Sequence, residues 1–392
     1  MKTKKLGLLT KLVLGILCGI FIGSLGTLLH IQDSTLFISI VRIFATFTSL
    51  FSTFLNFIIP LLIVSFVAVG LADLGKKANR LFGITLLLAY LSTIIAGFTS
   101  FFLGKAFLPT LIKQVKTTEI AGASFDAFFT ITVDPIFGVM TALVLAFLIG
   151  LGMANSESNV LLNCVRDLQG IISKTLNKLI IPLIPVHIAG LFCKIAAEGE
   201  LFPTVKMFLK LFLLILLFQW GYILLQFIAT SLITKQNQVK KLKNIVPAYV
   251  TALGTQSSAS TIPVNLECAN KNGIKKDIAD FVIPLGATIH LAGDTICLVI
   301  GAMGIMIASG FTPTLSMFTP FIFMLGVTMV AAPGIPGGGV MAALGLIASL
   351  LGFTEPMQQL IISLHFSQDS FGTACNVTGD QSIALIVNKF DR

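Results

Sequence analysis

The sequence predicts an all-α polytopic membrane protein, and three observations carry that prediction. Hydrophobic residues fill 55% of the 392 positions and charged residues only 11%, with a mean hydropathy of +0.97, whereas a soluble domain carries about a quarter charged residues. Apolar runs that reach or approach spanning length, about 20 residues, recur from end to end. Thirty-four glycines and fourteen prolines fit close helix packing and interrupted helices better than straight bundles alone.

The runs cover residues 8–29, 53–71, 81–103, 139–153, 207–232 and 281–309. The first follows Met1-Lys-Thr-Lys-Lys. It reads as a retained helix, because it is too long for a leader's core, Lys11 interrupts its start and no Ala-x-Ala site follows. Asp73-Leu-Gly-Lys-Lys reads as a short cytoplasmic turn between the second and third helices, and 105–133 as an external loop of mixed polar and aromatic character. Segment 158–197 is more amphipathic, and its Arg166, Lys174 and Lys178 are expected to snorkel to the interface. Residues 1–235 thus hold about six helices.

The net charge of +9 is sorted along the chain. Cations gather in alternate loops: Lys2, Lys4 and Lys5; Lys76, Lys77 and Arg80; Lys235, Lys240, Lys241 and Lys243; Lys271, Lys275 and Lys276; Lys389 and Arg392. Intervening loops are poorer, with Glu198 and Glu200 in one, although Lys105, Lys113 and Lys116 sit in another. This is the positive-inside bias, which places both termini in the cytoplasm and argues against a nucleic-acid partner. The six cysteines are dispersed, have neither metal-ligand nor disulfide spacing, and read as small buried residues.

Residues 244–392 have a different texture. Two stretches, Thr255-Gln-Ser-Ser-Ala-Ser-Thr-Ile-Pro263 and Pro333-Gly-Ile-Pro-Gly-Gly-Gly339, put polar, glycine-rich sequence inside apolar segments. Each is followed by a second polar break, at 290–295 and at 369–380, so a unit of hairpin and broken helix occurs twice. The offset from Ser257 to His290 is 33 positions, as is that from Pro336 to Asp369. Non-helical backbone survives at membrane depth only against protein or a watery cavity. Paired interruptions in corresponding halves point to the substrate site of a secondary transporter, so the chain is expected to move a solute.

The last helix gathers the most chemistry. His365, Asp369, Thr373, Asn376 and Asp380 recur at three- and four-residue spacing, which puts them on one face. An ionised aspartate at mid-membrane costs about 2.5–3.5 kcal/mol, so these two need cations or strong partners. The bland alternative is a polar packing seam. Upstream, His290 and Asp294 are four apart and pair if that turn is helical; unwound, it offers carbonyls to a hard cation. A functional and a merely hydrogen-bonded His290 both stay open. Ser257-Ser-Ala-Ser-Thr261 supplies donors suited to a carboxylate at a helix N-terminus. The Pro333–Gly339 tip, nearly without side chains, suits a lid or simple re-entrant packing.

These residues carry a resemblance to the dicarboxylate/amino acid:cation symporters over nearly the whole chain. It rests on Ser257-Ser258 to Pro263, Pro284-Leu-Gly-Ala-Thr-Ile289, Gly334-Ile-Pro-Gly337, and Asp369 with Asn376-Val-Thr-Gly-Asp380. The resemblance implies eight transmembrane helices plus two re-entrant helical hairpins, in an elevator-type transporter fold that forms a homotrimer in the cell membrane. Residues 1–243 would be mainly scaffold and trimerisation helices one to six, with three and six joining the transport domain. Residues 244–392 would be the transport core, with the two hairpins and two broken or polar helices. It implies that Ser258 and Asn376 hold a substrate α-carboxylate, and that Asp369 and Thr373 hold its amino group. Backbone at Gln256 and Ile335 would help, and Ser257, Asp294, Gly339 and Gly372 complete the substrate set. Sodium is the implied coupling ion, with no organic cofactor. One site would join Asp380 to main-chain carbonyls of Gly286, His290 and Asn376; a second would use backbone at Thr288, Met329, Val330 and Ala332.

The departures from the family pattern shape the expectation. Gly372 stands where acidic-substrate members carry an arginine, and Gln256 occupies the first-hairpin arginine position. The family's Asn-Met-Asp-Gly-Thr reads His290-Leu-Ala-Gly-Asp294, so a third sodium site loses its aspartate to Ala292; its third-helix partners read Leu86, Ala89 and Tyr90. His365 replaces an aspartate one turn before Asp369. The expected substrate is a neutral polar amino acid, serine- or threonine-like, rather than an acidic one. Coupling is expected through sodium, with proton involvement left open. His290 and His365, facing Asp294 and Asp369, would either take protons or form a neutral packing cluster. A carrier of cationic amino acids or dicarboxylates, an uncoupled anion or solute channel, and a metal-dependent membrane enzyme are the alternatives.

Overall fold

A computed structural model describes residues 7–76, 80–112, 125–330, 332 and 336–390. Lys2, Lys4, Lys5, Lys77, Lys113, Lys116, Arg392 and the Pro333-Gly334-Ile335 part of the second tip lie outside the described residues, so the expectation for Ile335 is not addressed. All regular structure among the described residues is helical. Helices α1 (Leu8–Leu28), α2 (Thr35–Lys76), α3 (Arg80–Leu111), α4 (Val139–Asn155), α5 (Val160–Thr175), α6 (Ile181–Ala197) and α7 (Leu201–Thr234) form the first part, with a π-helical turn, Leu176–Ile180, joining α5 to α6. A 3₁₀ turn, Val239–Asn244, then leads into α8 (Val246–Thr255), α9 (Ser258–Lys271), α10 (Lys276–Ile289), α11 (Ala292–Ala308), α12 (Leu315–Val330), α13 (Gly338–Leu351) and α14 (Glu355–Phe390).

Six described spans are long and apolar enough to cross a membrane: α1, α2, α3, the α5–α6 unit, α7 and the α10–α11 unit. The last is 94% buried across its apolar window and is the most enclosed of them. Several boundaries differ from the sequence reading. Helix α2 runs for 42 residues, through Asp73 to Lys76, so residues 73–76 of the expected turn are helical. Arg166 does not simply snorkel; its guanidinium pairs with Asp73 at 2.5 Å. The expected loop at 105–133 is partly helix, since α3 continues to Leu111. Its described remainder lies along α2, where Thr46 Oγ1 accepts from the Phe128 amide at 2.9 Å. Cys18 and Cys164 are exposed, unlike the other four cysteines.

Helix α1 packs along α6 through a device the sequence reading missed. Gly15, Gly19 and Gly23 recur every fourth residue, and a Cβ at each would collide with the carbonyl oxygen of Pro185, Ala189 or Cys193. Small residues at this spacing let two backbones touch where lipid supplies no hydrophobic drive to bring helices together. Helix α2 packs on α4, α5 and α6, whereas α3 and α7 pack on α11 and α14. Two helix groups result, and α13, with the start of α14, meets the first group; Gln359 Nε2 donates to Ser52 Oγ at 3.1 Å.

The helix α14 is continuous from Glu355 to Phe390, which corrects the expected second break at 369–380. Its polar side chains find partners sideways, on neighbouring helices, so its backbone ladder has no reason to open. The first break is real but shorter than expected. Helical geometry ends at Ile289, His290 is extended (φ −114°, ψ 100°) and helix resumes at Ala292.

Candidate functional site

The site forms where both hairpin tips and the α10–α11 break converge on the middle of α14. In the first hairpin, Gln256 turns the chain with a left-handed φ of 52°, a conformation disfavoured by about 1–2 kcal/mol for a residue other than glycine. Its side chain reaches α14, where Nε2 donates to Ser370 Oγ at 2.9 Å. Ser257 then caps α9, its Oγ accepting from the Ser260 amide at 3.3 Å, and Ser258 is buried beside it. In the second hairpin, Gly337 takes φ 72°, which glycine adopts freely, and its amide donates to Asp369 Oδ2 at 2.9 Å. The two tips therefore meet adjacent residues of one helix.

Helix α14 presents the expected polar face, with His365, Asp369, Gly372, Thr373, Asn376 and Asp380 all buried. Asn376 is committed to α11. Its Oδ1 accepts from the Gly293 amide at 2.7 Å and its Nδ2 donates to Asp294 Oδ2 at 2.5 Å. Asp294 Oδ1 lies 2.9 Å from His365 Nε2. Ligand-capable atoms of Asp294, His365 and Asp369 all fall within 4.8 Å of one another.

A second cluster lies beside the break. His290 Nδ1 is 3.1 Å from Asp380 Oδ1, and His290 Nε2 is 2.9 Å from Ser92 Oγ on α3. Ser92 is a hub: Tyr222 hydroxyl lies 3.0 Å away and Gln226 Nε2 donates to it at 2.9 Å. Asp380 Oδ2 has no hydrogen-bond partner among the described residues. A buried carboxylate oxygen in that state offers a lone pair to a cation or a proton.

This arrangement amends the sequence reading at three points. His290 and Asp294 do not pair, because the extended His290 turns its ring toward α14 and α3 while Asp294 rejoins a helix facing His365. His290 therefore faces Asp380, while His365 bonds Asp294 and lies close to Asp369 as well. On the third helix, Ser92, which the sequence reading did not single out, meets the His290 ring at 2.9 Å, while Tyr90 reaches the Phe323 carbonyl at 3.5 Å.

Of the second expected sodium set, Met329 and Ala332 are buried and Val330 is half-buried at the end of α12. Thr288 is exposed, its hydroxyl donating to the Leu285 carbonyl at 2.7 Å. Gly286 is buried against Asp380, where an added Cβ would lie 2.7 Å from Oδ1; its carbonyl already accepts from the His290 amide at 2.9 Å. Sequence reasoning overlooked Ser92, Tyr222, Gln226 and Ser370. The available signal for Gln226 was an amide inside the apolar run of α7, and Ser370 lies on the polar helix α14 itself.

Comparison with known proteins settles the class. The model of the sodium:dicarboxylate symporter family matches residues 8–390. The chain belongs to that family. It is similar to the serine/threonine transporter SstT of Acinetobacter baumannii, 26% identical over 398 residues that cover 96% of this chain and 95% of the relative. It is also similar to an excitatory amino acid transporter of Caenorhabditis elegans, 25% identical over 72% of this chain and 58% of the relative. Excitatory amino acid transporter 2 of Homo sapiens is 29% identical over 62% and 43%. The chain thus spans about half the length of these excitatory relatives. Membership in the sodium:dicarboxylate symporter family makes this a multi-pass membrane transporter and removes the membrane-enzyme alternative.

Proposed function

We propose that this protein couples sodium entry to the uptake of amino acids with small, uncharged polar side chains, serine and threonine first. One observation carries the choice: among the described residues no lysine or arginine is buried, while Asp294, Asp369 and Asp380 all are. A substrate side-chain carboxylate would be desolvated here without a cation, and leaving one charge of a buried pair uncompensated costs about 3–5 kcal/mol. An ammonium has Asp369 to meet it. The α-carboxylate then goes to Ser258 and the amides at the start of α9, helped by Asn376 through its second amide hydrogen. The full-length similarity to a serine/threonine transporter supports the same reading.

Sodium binds at Asp380, whose unpartnered oxygen suits a hard cation, and at the end of α12. The fold around the site is an elevator-type one, with eight spanning helices and two re-entrant hairpins. The arms of those hairpins, 10 to 16 residues long, reach only about 15–24 Å and cannot cross a hydrocarbon core of about 30 Å. Helices α3 and α7, packed on α11 and α14, travel with residues 244–390; the other early helices form a scaffold and trimer contact in the cell membrane, both termini cytoplasmic. The test is counterflow in proteoliposomes with each amino acid, under separately imposed sodium and proton gradients. Aspartate or glutamate exchanged faster than every neutral amino acid would sink the substrate reading, and flux that cannot be driven uphill would favour a channel.

A further inference from the structure

The proposed substrate and sodium contacts leave Asp294 and His365 without a role. Both side chains are almost fully enclosed, 5% and 1% exposed, and both sit beside Asp369, the acceptor proposed for the substrate amine. Asp294 Oδ1 faces His365 Nε2 at 2.9 Å and its Oδ2 takes the Asn376 amide at 2.5 Å. His365 Nδ1 has no hydrogen-bond partner among the described residues, so Asp294 is the polar contact that holds the ring. From the lid side, Gly339 leans on the same carboxylate, where a Cβ would lie 2.6 Å from Oδ1.

Charge counting within this cluster distinguishes two sites. With a neutral His365, the carboxylates of Asp294 and Asp369, within 4.8 Å of one another, either hold a proton between them or, both ionised, call for a substrate bearing two ammonium groups. With a protonated His365, Asp294 is neutralised in place by a charge-assisted hydrogen bond, and one carboxylate remains for one ammonium. We infer that His365 is the resident countercharge of Asp294, and that this ion pair sets the substrate class to amino acids carrying a single positive charge. Asp294 then belongs to the wall of the site as half of an internal pair and does not contact a cationic side chain. The inference rests on the proposed amino-acid reading, because it takes Asp369 as the amine acceptor.

Counterflow of labelled serine and labelled lysine tests it in proteoliposomes. The wild type is compared with His365→Asn, Asp294→Asn, the double variant and His365→Lys, and thermal unfolding in detergent checks that each is folded. The wild type should exchange serine and not lysine. His365→Asn should lower serine exchange by about a hundredfold, as expected for a buried charge stripped of its partner, and should gain lysine exchange. The double variant removes both charges and should exchange serine better than His365→Asn, the worse of the single variants, without lysine. His365→Lys keeps a cation beside Asp294 and should keep the preference for serine. Folded His365→Asn with wild-type serine exchange and no lysine exchange would overturn the inference, as would a double variant no better than the worse single one. A wild type that exchanges no amino acid overturns the functional reading and this inference with it; an active wild type with uncoupled variants overturns the inference alone.

Discussion

Replacing Gly339 with alanine probes the seam between the second hairpin and the polar cluster. The added Cβ would stand 2.6 Å from Asp294 Oδ1, whereas a comfortable carbon–oxygen contact begins at about 3.3 Å. About 0.7 Å must therefore be found. The carboxylate is a poor candidate to give way, being held at 2.9 Å by His365 and 2.5 Å by Asn376. Shifting it strains two hydrogen bonds that involve a charged group, each contributing about 1.5–3 kcal/mol. If α13 moves instead, it carries Gly337 away from Asp369 and weakens the 2.9 Å contact of the tip. Either route disturbs a group proposed to face substrate, and losing one such bond corresponds to about a 10- to 100-fold change in affinity. The assay is the concentration dependence of serine counterflow, with thermal unfolding alongside. A Gly339→Ala protein with wild-type half-saturation and wild-type unfolding would refute the packing argument.

Other consequences can be measured in the same preparations. Gly19→Ala drives a Cβ into the Ala189 carbonyl and should destabilise by about 1–3 kcal/mol, whereas Gly83→Ala, with nothing within 4 Å of the new atom, should be tolerated; equal unfolding temperatures for the two would contradict the α1–α6 ladder. Ser92→Ala removes the hydroxyl that meets His290 Nε2 and Gln226 Nε2, while Tyr222 keeps its bond to the Ser92 carbonyl; it should cost about 1–3 kcal/mol for a buried group left unsatisfied, read as a lower unfolding midpoint. Asp380→Asn should raise the sodium needed for half-maximal uptake about tenfold or more, by loss of a charged contact, yet reach similar substrate occupancy at saturating sodium; unchanged sodium activation argues against a site there. Asp369→Ala should abolish uptake in folded protein, and undiminished transport of the amine-free hydroxy acid would remove its role as amine acceptor.

Much of the site was legible because its chemistry is conspicuous against an apolar background. His365, Asp369, Thr373, Asn376 and Asp380 stand at helical spacing, and the structure keeps all five on one buried face. Ser92 was not legible. A lone serine in a membrane helix carries no signal of its own, and its importance comes from Tyr222 and Gln226 on α7 and His290 at the α10–α11 break, two other segments of the chain. The glycine ladder of α1 was visible as spacing, but its partner surface on α6 lies about 170 residues away (Gly15 to Pro185).

The sequence by itself determined the helical membrane class, the two interrupted hairpins and the inventory of polar groups inside its apolar segments, because hydropathy and helical periodicity are local properties. Pairing is not local. Whether His290 meets Asp294 or Asp380 and whether Asp294 is free or held by His365 depend on the few residues by which α10 ends and α11 begins. A two-residue interruption, His290 and Leu291, reorients α11 relative to α10, and a side chain then binds whichever partner that rotation brings within about 3 Å. Helix α14 stays whole for the same reason: neighbouring helices supply its partners, so the polar residues that read as a break in sequence become its lateral contacts.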